Sequence, residues 1–371
     1  MTKKFIFTLS LLVISIILFT LKVIYAISTS EPKWYEKVVP GSSSENAWRA
    51  IAISSDGSKI AAAVYDGYIY TSTDGGSTWS EKYSAGYREW FSIAMSSDGS
   101  KIAAAVFGGY IYTSTDGGAN WTEQTSAGAR NWTSIAISSD GSKIAAAVYG
   151  DYIYTSNDGG STWKEQYSAV YRKWTSIAIS SDGSKIAAAA WGGYIYTSTD
   201  GGSTWTPQTS SSSRKWRSIA MSPDGSKIVA ADYEGYIYTS TDGGSTWKEQ
   251  YSADYRKWTS IAISYDGSKI AAADNGNGSG GYIYISTNWG TSWTQQTSAG
   301  ARNWQSIAMS PDGSKIAAAV YDGYIYTSND GGSTWTEETS AGSRPWLSIA
   351  ISSDGSKIVA GGKFRNIFIK Q

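Results

Sequence analysis

Ser72-Thr73-Asp74-Gly75-Gly76-Ser77-Thr78-Trp79 is repeated along the chain, and its spacing decides the fold. Copies or near copies run from Ser114 to Trp121, Ser156 to Trp163, Ser198 to Trp205, Ser240 to Trp247 and Ser328 to Trp335. An altered copy, with Asn288 and Trp289 in place of the Asp-Gly pair, runs from Ser286 to Trp293. The chemistry is that of a tight turn. An Asp carboxylate can accept N–H groups of its own loop, the glycines take conformations closed to other residues, and the Trp has a large face to bury. Asp74, Asp116, Asp158, Asp200, Asp242 and Asp330 are therefore structural positions, with no catalytic role expected.

A second tryptophan sets the period. Trp48, Trp90, Trp132, Trp174, Trp216, Trp258, Trp304 and Trp346 follow one another at 42 residues, except for 46 between Trp258 and Trp304. Units of about 40–45 residues with several short strands suit the blades of a propeller. The first unit holds four strand candidates: A (Arg49 to Ser54), B (Lys59 to Val64), C (Tyr68 to Ser72) and D (Thr78 to Lys82). Asp56-Gly57 between A and B predicts a two-residue type I′ hairpin, Asp66-Gly67 separates B from C, and the octapeptide separates C from D. Small residues on A and B (Ala50, Ala52, Ala61, Ala62, Ala63) and large ones on C and D (Tyr68, Tyr70, Trp79) match a radial taper.

The chain ends set the number of blades. After Trp346 come an A strand (Leu347 to Ser352), a B strand (Lys357 to Ala360) and a C strand (Asn366 to Lys370), but no D strand. Lys33-Trp34-Tyr35-Glu36-Lys37 resembles the D sequence Thr162-Trp163-Lys164-Glu165-Gln166. The expectation is an all-β, eight-bladed ring in which the first strand completes the last blade; seven blades with a detached terminal segment is the alternative. Alternation supports an even count. Tyr83, Thr125, Tyr167, Thr209, Tyr251 and Thr297 alternate at the ends of D, as do Tyr87, Ala129, Tyr171, Ser213, Tyr255 and Ala301 three residues before each Trp. Thr339 and Ser343 break the pattern in the seventh unit.

The pattern S-x-D-x-G-x-T-W resembles the Asp-box (BNR) repeat of sialidases, sortilin-type receptors, xyloglucan-degrading hydrolases and the photosystem II assembly factor family. The resemblance implies a β-propeller in which the box is a peripheral fold element. These families share the box and not the chemistry, so it implies no single activity.

Composition narrows the chemistry. The chain has no Cys and no His, which removes disulfides, thiol catalysis and the commonest general base and metal ligand. With 31 basic and 31 acidic residues the net charge is zero, so a nucleic-acid partner is not expected. Lys3 and Lys4 precede an uncharged, mostly apolar run from Phe5 to Leu21, followed by Lys22 and Val23-Ile24-Tyr25-Ala26. Residues 1–26 read as a signal peptide or an N-terminal membrane anchor, either of which exports a single propeller domain over 27–371. A secreted, periplasmic or cell-surface monomer is expected.

Candidate ligand contacts lie on the face opposite the octapeptides, since antiparallel connectivity puts the B–C and D–A loops there. Seven units carry Arg two residues before the Trp: Arg88, Arg130, Arg172, Arg214, Arg256, Arg302 and Arg344, with Asn46 in front of Trp48. The B–C loops bring Tyr65, Phe107, Tyr149, Trp191, Tyr233 and Tyr321, with Asp66, Asp151, Glu234 and Asp322 nearby. The arginines are expected to ring the axial mouth beside these aromatics. That combination suits a glycan or an extracellular protein, unless each Arg only seals its blade. A sialidase-like or glucanase-like hydrolase, and an assembly factor for a membrane complex, are the competing functions. No cofactor or metal is expected; in the lengthened loop from Asp274 to Gly281, Gly276 and Gly278 occupy two positions where a calcium loop needs oxygen ligands.

Overall fold

The repeated unit folds as four antiparallel strands. In blade one, A is Ala47–Ile53, B is Ile60–Tyr65, C is Ile69–Ser72 and D is Ser80–Glu81, paired in that order. The computed structural model describes residues 33–39, 47–276, 279–364 and 366–371. The leader or anchor expected over 1–26, Asn46, and Asn277-Gly278 of the long loop lie outside the described residues. No helix among the described residues is long and apolar enough to cross a membrane.

Among the described residues, thirty-two strands make eight blades of four. The eighth combines A (Trp346–Ile351), B (Ile358–Gly362) and C (Ile367–Lys370) with the first strand of the chain, Trp34–Lys37. Trp34 pairs with Lys370 and Lys37 with Ile367, so the expected clasp is present and the seven-bladed alternative is excluded.

Strand B carries the core. Ala61 and Ala63 pack on Trp90, Ile102 and Tyr112 of blade two, while Ile60, Ala62 and Val64 pack on Val359, Ile367 and Ile369 of blade eight. Alternate residues of a strand face opposite sides, and here both sides are buried. The A strands line the axis and are stitched to one another. Ser92 Oγ accepts from Ile135 N–H at 3.1 Å and Ser134 Oγ from Ile177 N–H at 3.2 Å, which gives the recurrent Ser-Ile-Ala a reason.

Two local expectations need correction. The A–B connection is not a two-residue type I′ turn: Ser54 N–H bonds to Lys59 O and Gly57 N–H to Ser54 O, enclosing four residues with Gly57 at φ 70°. Only one residue takes positive φ, because Asp56 instead turns its carboxylate back onto Ser54 and Ser58. Strand D is shorter than expected. In blade one it stops at Glu81, and a single 3-10 turn, Tyr83–Ala85, leads into the next blade.

The octapeptide behaves as a fastener. Asp74 accepts from Thr78 N–H at 2.9 Å and Thr78 Oγ1 at 2.6 Å, Ser72 Oγ accepts from Gly76 N–H at 2.7 Å, and Trp79 Nε1 donates to Gly76 O. A Cβ on Gly76 would sit 1.9 Å from Ile369 of blade eight, so this residue has to be Gly. In the altered copy, Asn288 Oδ1 takes the place of the carboxylate, accepting from Ser292 N–H at 2.9 Å. Trp289 there adopts φ 62°, with Lys227 lying over its ring.

The clasp has its own electrostatics. In blades two to five a Gln ends strand D and bonds to the C-strand Thr at 2.6 Å (Gln124 with Thr113, for example). Blade seven has Glu338 instead, and Lys370 of blade eight reaches it at 2.5 Å, both residues being buried. Replacing Glu338 by Gln strands the ammonium, and denaturant unfolding should show a loss of about 3–5 kcal/mol. Adding Lys370→Ser, the residue that Ser72 supplies in blade one, should recover most of that loss.

The turn carboxylates also set the acid limit. The Ser54 hydroxyl and then the Ser58 N–H hold Asp56 down at about 2, and the Thr78 hydroxyl and N–H hold Asp74 at about 2. Their folded values lie below the unfolded value of about 3.9, so their stabilisation is present above that pH and is lost as pH falls through the folded values. Melting temperature by circular dichroism should stay level down to roughly pH 4 and fall between about pH 4 and 2; a level profile to pH 2 contradicts this.

Candidate functional site

The face opposite the octapeptides is built by pairing between blades. Each B–C tip joins the start of the next A strand: Gly67 with Arg88, Gly109 with Arg130, Asp151 with Arg172 and Gly193 with Arg214. Gly235, Gly281 and Gly323 do the same with Arg256, Arg302 and Arg344, and Lys363 of blade eight pairs with Ala47. These starts are extended, so each Arg and the residue after it point to opposite sides.

The arginines point away from the axis. Arg88 lies over the ring of Tyr112, a C-strand residue of its own blade, at 4.7 Å, and faces Glu123 of strand D at 3.6 Å. Arg130, Arg214, Arg256 and Arg302 lie over Tyr154, Tyr238, Tyr284 and Tyr326 at 4.5–4.6 Å, and Arg344 over Phe368 at 4.6 Å. Carboxylates complete most of these contacts: Asp151 and Glu165 for Arg130, Asp232 and Glu249 for Arg214, Asp254 and Asp274 for Arg256, Glu337 for Arg302. Among the described residues Arg172 has only the Tyr196 hydroxyl at 3.4 Å, because Pro207 occupies the D-strand position that carries Glu in most blades. The expected guanidinium ring at the axial mouth is therefore corrected. The arginines cap the C and D strands, and they do not meet the tip aromatics.

The tip aromatics gather with a set of residues that the sequence reading passed over, those flanking the invariant Trp. Tyr65 donates to Glu89 at 3.0 Å; Lys173 lies over Tyr149 and Lys257 over Tyr233, both at 5.6 Å. Phe107 packs on Phe91, Trp191 on Tyr233, and Lys363 over Tyr321. Arg49 lies over Phe91 at 4.3 Å. Arg49 and Arg217 occupy the same place after the Trp in blades one and five, which face each other across an eight-bladed ring. Lys173, Lys215 and Lys257 precede the Trp in three consecutive blades, with Glu234 answering the last two. The available signal was variability: the residues on either side of the Trp change from unit to unit, while the Trp is kept in all eight and the Ser-Ile-Ala that follows in seven, Ala50-Ile51-Ala52 standing in the first.

The lengthened loop of the sixth unit borders a cavity of about 470 Å³ lined by Glu234, Tyr255, Arg256, Lys257, Asp274 and loop residues. Asp274 is buried there, accepting from Gly276 N–H at 2.8 Å and facing Arg256 at 3.4 Å.

Solved structures of low sequence identity share the ring. YCF48 bound to D1 peptide is 15% identical with a TM-score of 0.57, over 92% of this chain and 97% of that one. The computationally designed Ika8 protein is 12% identical with a TM-score of 0.70, over 90% and 99%. Sqt1 of Chaetomium thermophilum bound to the N-terminus of the ribosomal protein L10 is 14% identical with a TM-score of 0.68, over 91% and 99%. The fold is a β-propeller. At these identities the likeness is one of fold alone; no protein-family profile matches the chain, and no curated protein matches it.

Variation among the propeller's own blades offers a test of the arginine contacts. Where a Gly follows the 3-10 turn, Arg Nε donates to the last turn carbonyl, as Arg88 does to Ala85 O at 3.1 Å. A Cβ on Gly86 would lie 3.3 Å from that guanidinium. Val170, Ser212 and Asp254 put a Cβ there at φ 55–61°, and the Nε atoms of Arg172, Arg214 and Arg256 are buried without a partner. Val170→Gly should remove the strain of a β-branched residue at positive φ and restore the bond, raising stability by about 1 kcal/mol in denaturant titration.

Proposed function

We propose that this protein is an exported, non-catalytic propeller of the Asp-box type that binds a protein partner through the axial mouth of its D–A and B–C face. The partner engages through an acidic segment. The observation that carries this reading is the pair Arg49 and Arg217. Burial, and then the like charge of Arg217, lower the pKa of Arg49 from its ordinary value, so an anionic group between them would relieve a repulsion already present. Lys173, Lys215 and Lys257 extend the positive arc outward, and the tip aromatics supply flat contact area beside it. Propellers of the same fold have been solved with a peptide or a protein N-terminus bound, which favours an extended segment as the ligand form.

A fluorescent Glu-rich decapeptide with a free carboxylate tests the reading. Binding followed by polarisation should weaken steeply with added salt, and Arg49→Gln with Arg217→Gln should lower affinity tenfold or more. A Lys-rich decapeptide should not bind. Equal binding of the acidic peptide by the wild type and the double variant would sink the proposal.

A further inference from the structure

Three patches of tyrosine on the same face, outward of the mouth, have no part in the partner site proposed above. Tyr68, at the start of strand C, has Tyr83 and Tyr87 each at 5.4 Å between ring centroids, edge to face. Tyr152 is placed in the same way with Tyr167 at 5.2 Å and Tyr171 at 6.2 Å, and Tyr236 with Tyr251 at 5.3 Å and Tyr255 at 5.8 Å. The middle ring is half-buried. The outer two are among the most exposed large hydrophobic side chains of the described residues, Tyr83 at 71% and Tyr87 at 58% of full exposure.

The propeller contains its own control for what these rings do. At the intervening junctions the counterparts of Tyr83 and Tyr87 are Thr125 and Ala129, Thr209 and Ser213, Thr297 and Ala301, and in the seventh unit Thr339 and Ser343. The 3-10 turn is formed in both kinds of blade. The fold does not require the two outer tyrosines, and holding six phenol rings in water opposes the tendency to bury apolar surface.

The placement selects the kind of ligand. Successive triads are two blades apart, a quarter-turn of an eight-bladed ring, with Thr and Ala or Ser between them. The outer pairs of rings are thus interrupted by small residues at every second blade from the first to the fifth, whereas a protein hot spot clusters at the centre of one dry patch. A ring face with a hydroxyl at its edge suits the apolar face of a sugar, and a polymer that presents the same sugar repeatedly can occupy several equal sites at once. Glu81, Glu165 and Glu249, which accept from the Tyr70, Tyr154 and Tyr238 hydroxyls on the neighbouring strands, keep carboxylate acceptors in the same blades.

We propose that Tyr68/Tyr83/Tyr87, Tyr152/Tyr167/Tyr171 and Tyr236/Tyr251/Tyr255 are three equivalent subsites for a neutral, repeating polysaccharide, which the propeller holds by multivalent contact independently of the axial mouth.

The test uses affinity electrophoresis of the full propeller through gels carrying a neutral glucan, xylan, mannan or galactan, with the corresponding hexasaccharides in titration calorimetry. Tyr83→Thr with Tyr87→Ala recreates the residues of the next blade, so the fold should survive, as an unchanged melting temperature would verify. At least one polymer should retard the wild type. Removing one triad should weaken polymer binding by tenfold or more while lowering hexasaccharide stoichiometry from three to two, and removing all three should abolish both. Arg49→Gln with Arg217→Gln should leave retardation unchanged, which separates this inference from the proposed mouth site. Absence of retardation by all four polymers overturns the proposal. So does equal retardation of the wild type and the six-substitution variant, or loss of acidic-peptide binding as the only effect of that variant.

Discussion

The burial of strand B on both of its faces is the constraint from which the rest follows. Ala61 and Ala63 need blade two, and Ile60, Ala62 and Val64 need blade eight. A four-stranded blade left alone would expose both of those faces, so the unit is stable only inside a closed ring. Closure in turn makes the ends of the chain matter. Trp34–Lys37 fills the outer position of blade eight, and the buried pair Lys370–Glu338 marks that junction with a contact no other blade makes among the described residues.

Closure also divides the labour between the two faces. On one, the octapeptides and the Asp-Gly hairpins are tied together, as by Gly75 N–H to Ser58 O at 2.7 Å, and their hydrogen-bonding groups are largely used up within the turns. On the other, backbone pairing of B–C tips with A-strand starts does the fastening, which leaves side chains free to differ. Arg, Tyr and Glu on the outward side complete the blade edges. The residues beside the invariant Trp, facing the axis, vary in charge and size. A scaffold whose repeats are held by backbone and small buried residues can vary those positions without losing the ring.

Much of this was legible because the repeat is nearly regular. The 42-residue period, the four strands per unit, the face shared by octapeptides and hairpins, and the clasp from Lys33 to Lys37 all follow from spacing and strand direction. The hairpin type did not, because Asp56 satisfies the turn with its carboxylate and leaves Gly57 alone at positive φ. Nor did the 3-10 turn that shortens strand D, since Tyr83-Ser84-Ala85 reads as well as strand as it does as turn.

By itself the sequence determined the repeat, its four strands and the structural duty of the octapeptide, because these depend on periodicity and on which residues tolerate a tight turn; eight blades and their closure were its expectation, and the pairing of Trp34–Lys37 with Ile367–Lys370 decided them against seven. Only the tertiary structure decided which side chains reach the axis. Each A strand shifts register just after its Trp, between Trp132 and Ser134 for example, so strand alternation cannot be carried through that point. The seven arginines thus turn out to lie against the outer strands, while Arg49 lies over Phe91, and Lys173 and Lys257 lie over the tip aromatics Tyr149 and Tyr233.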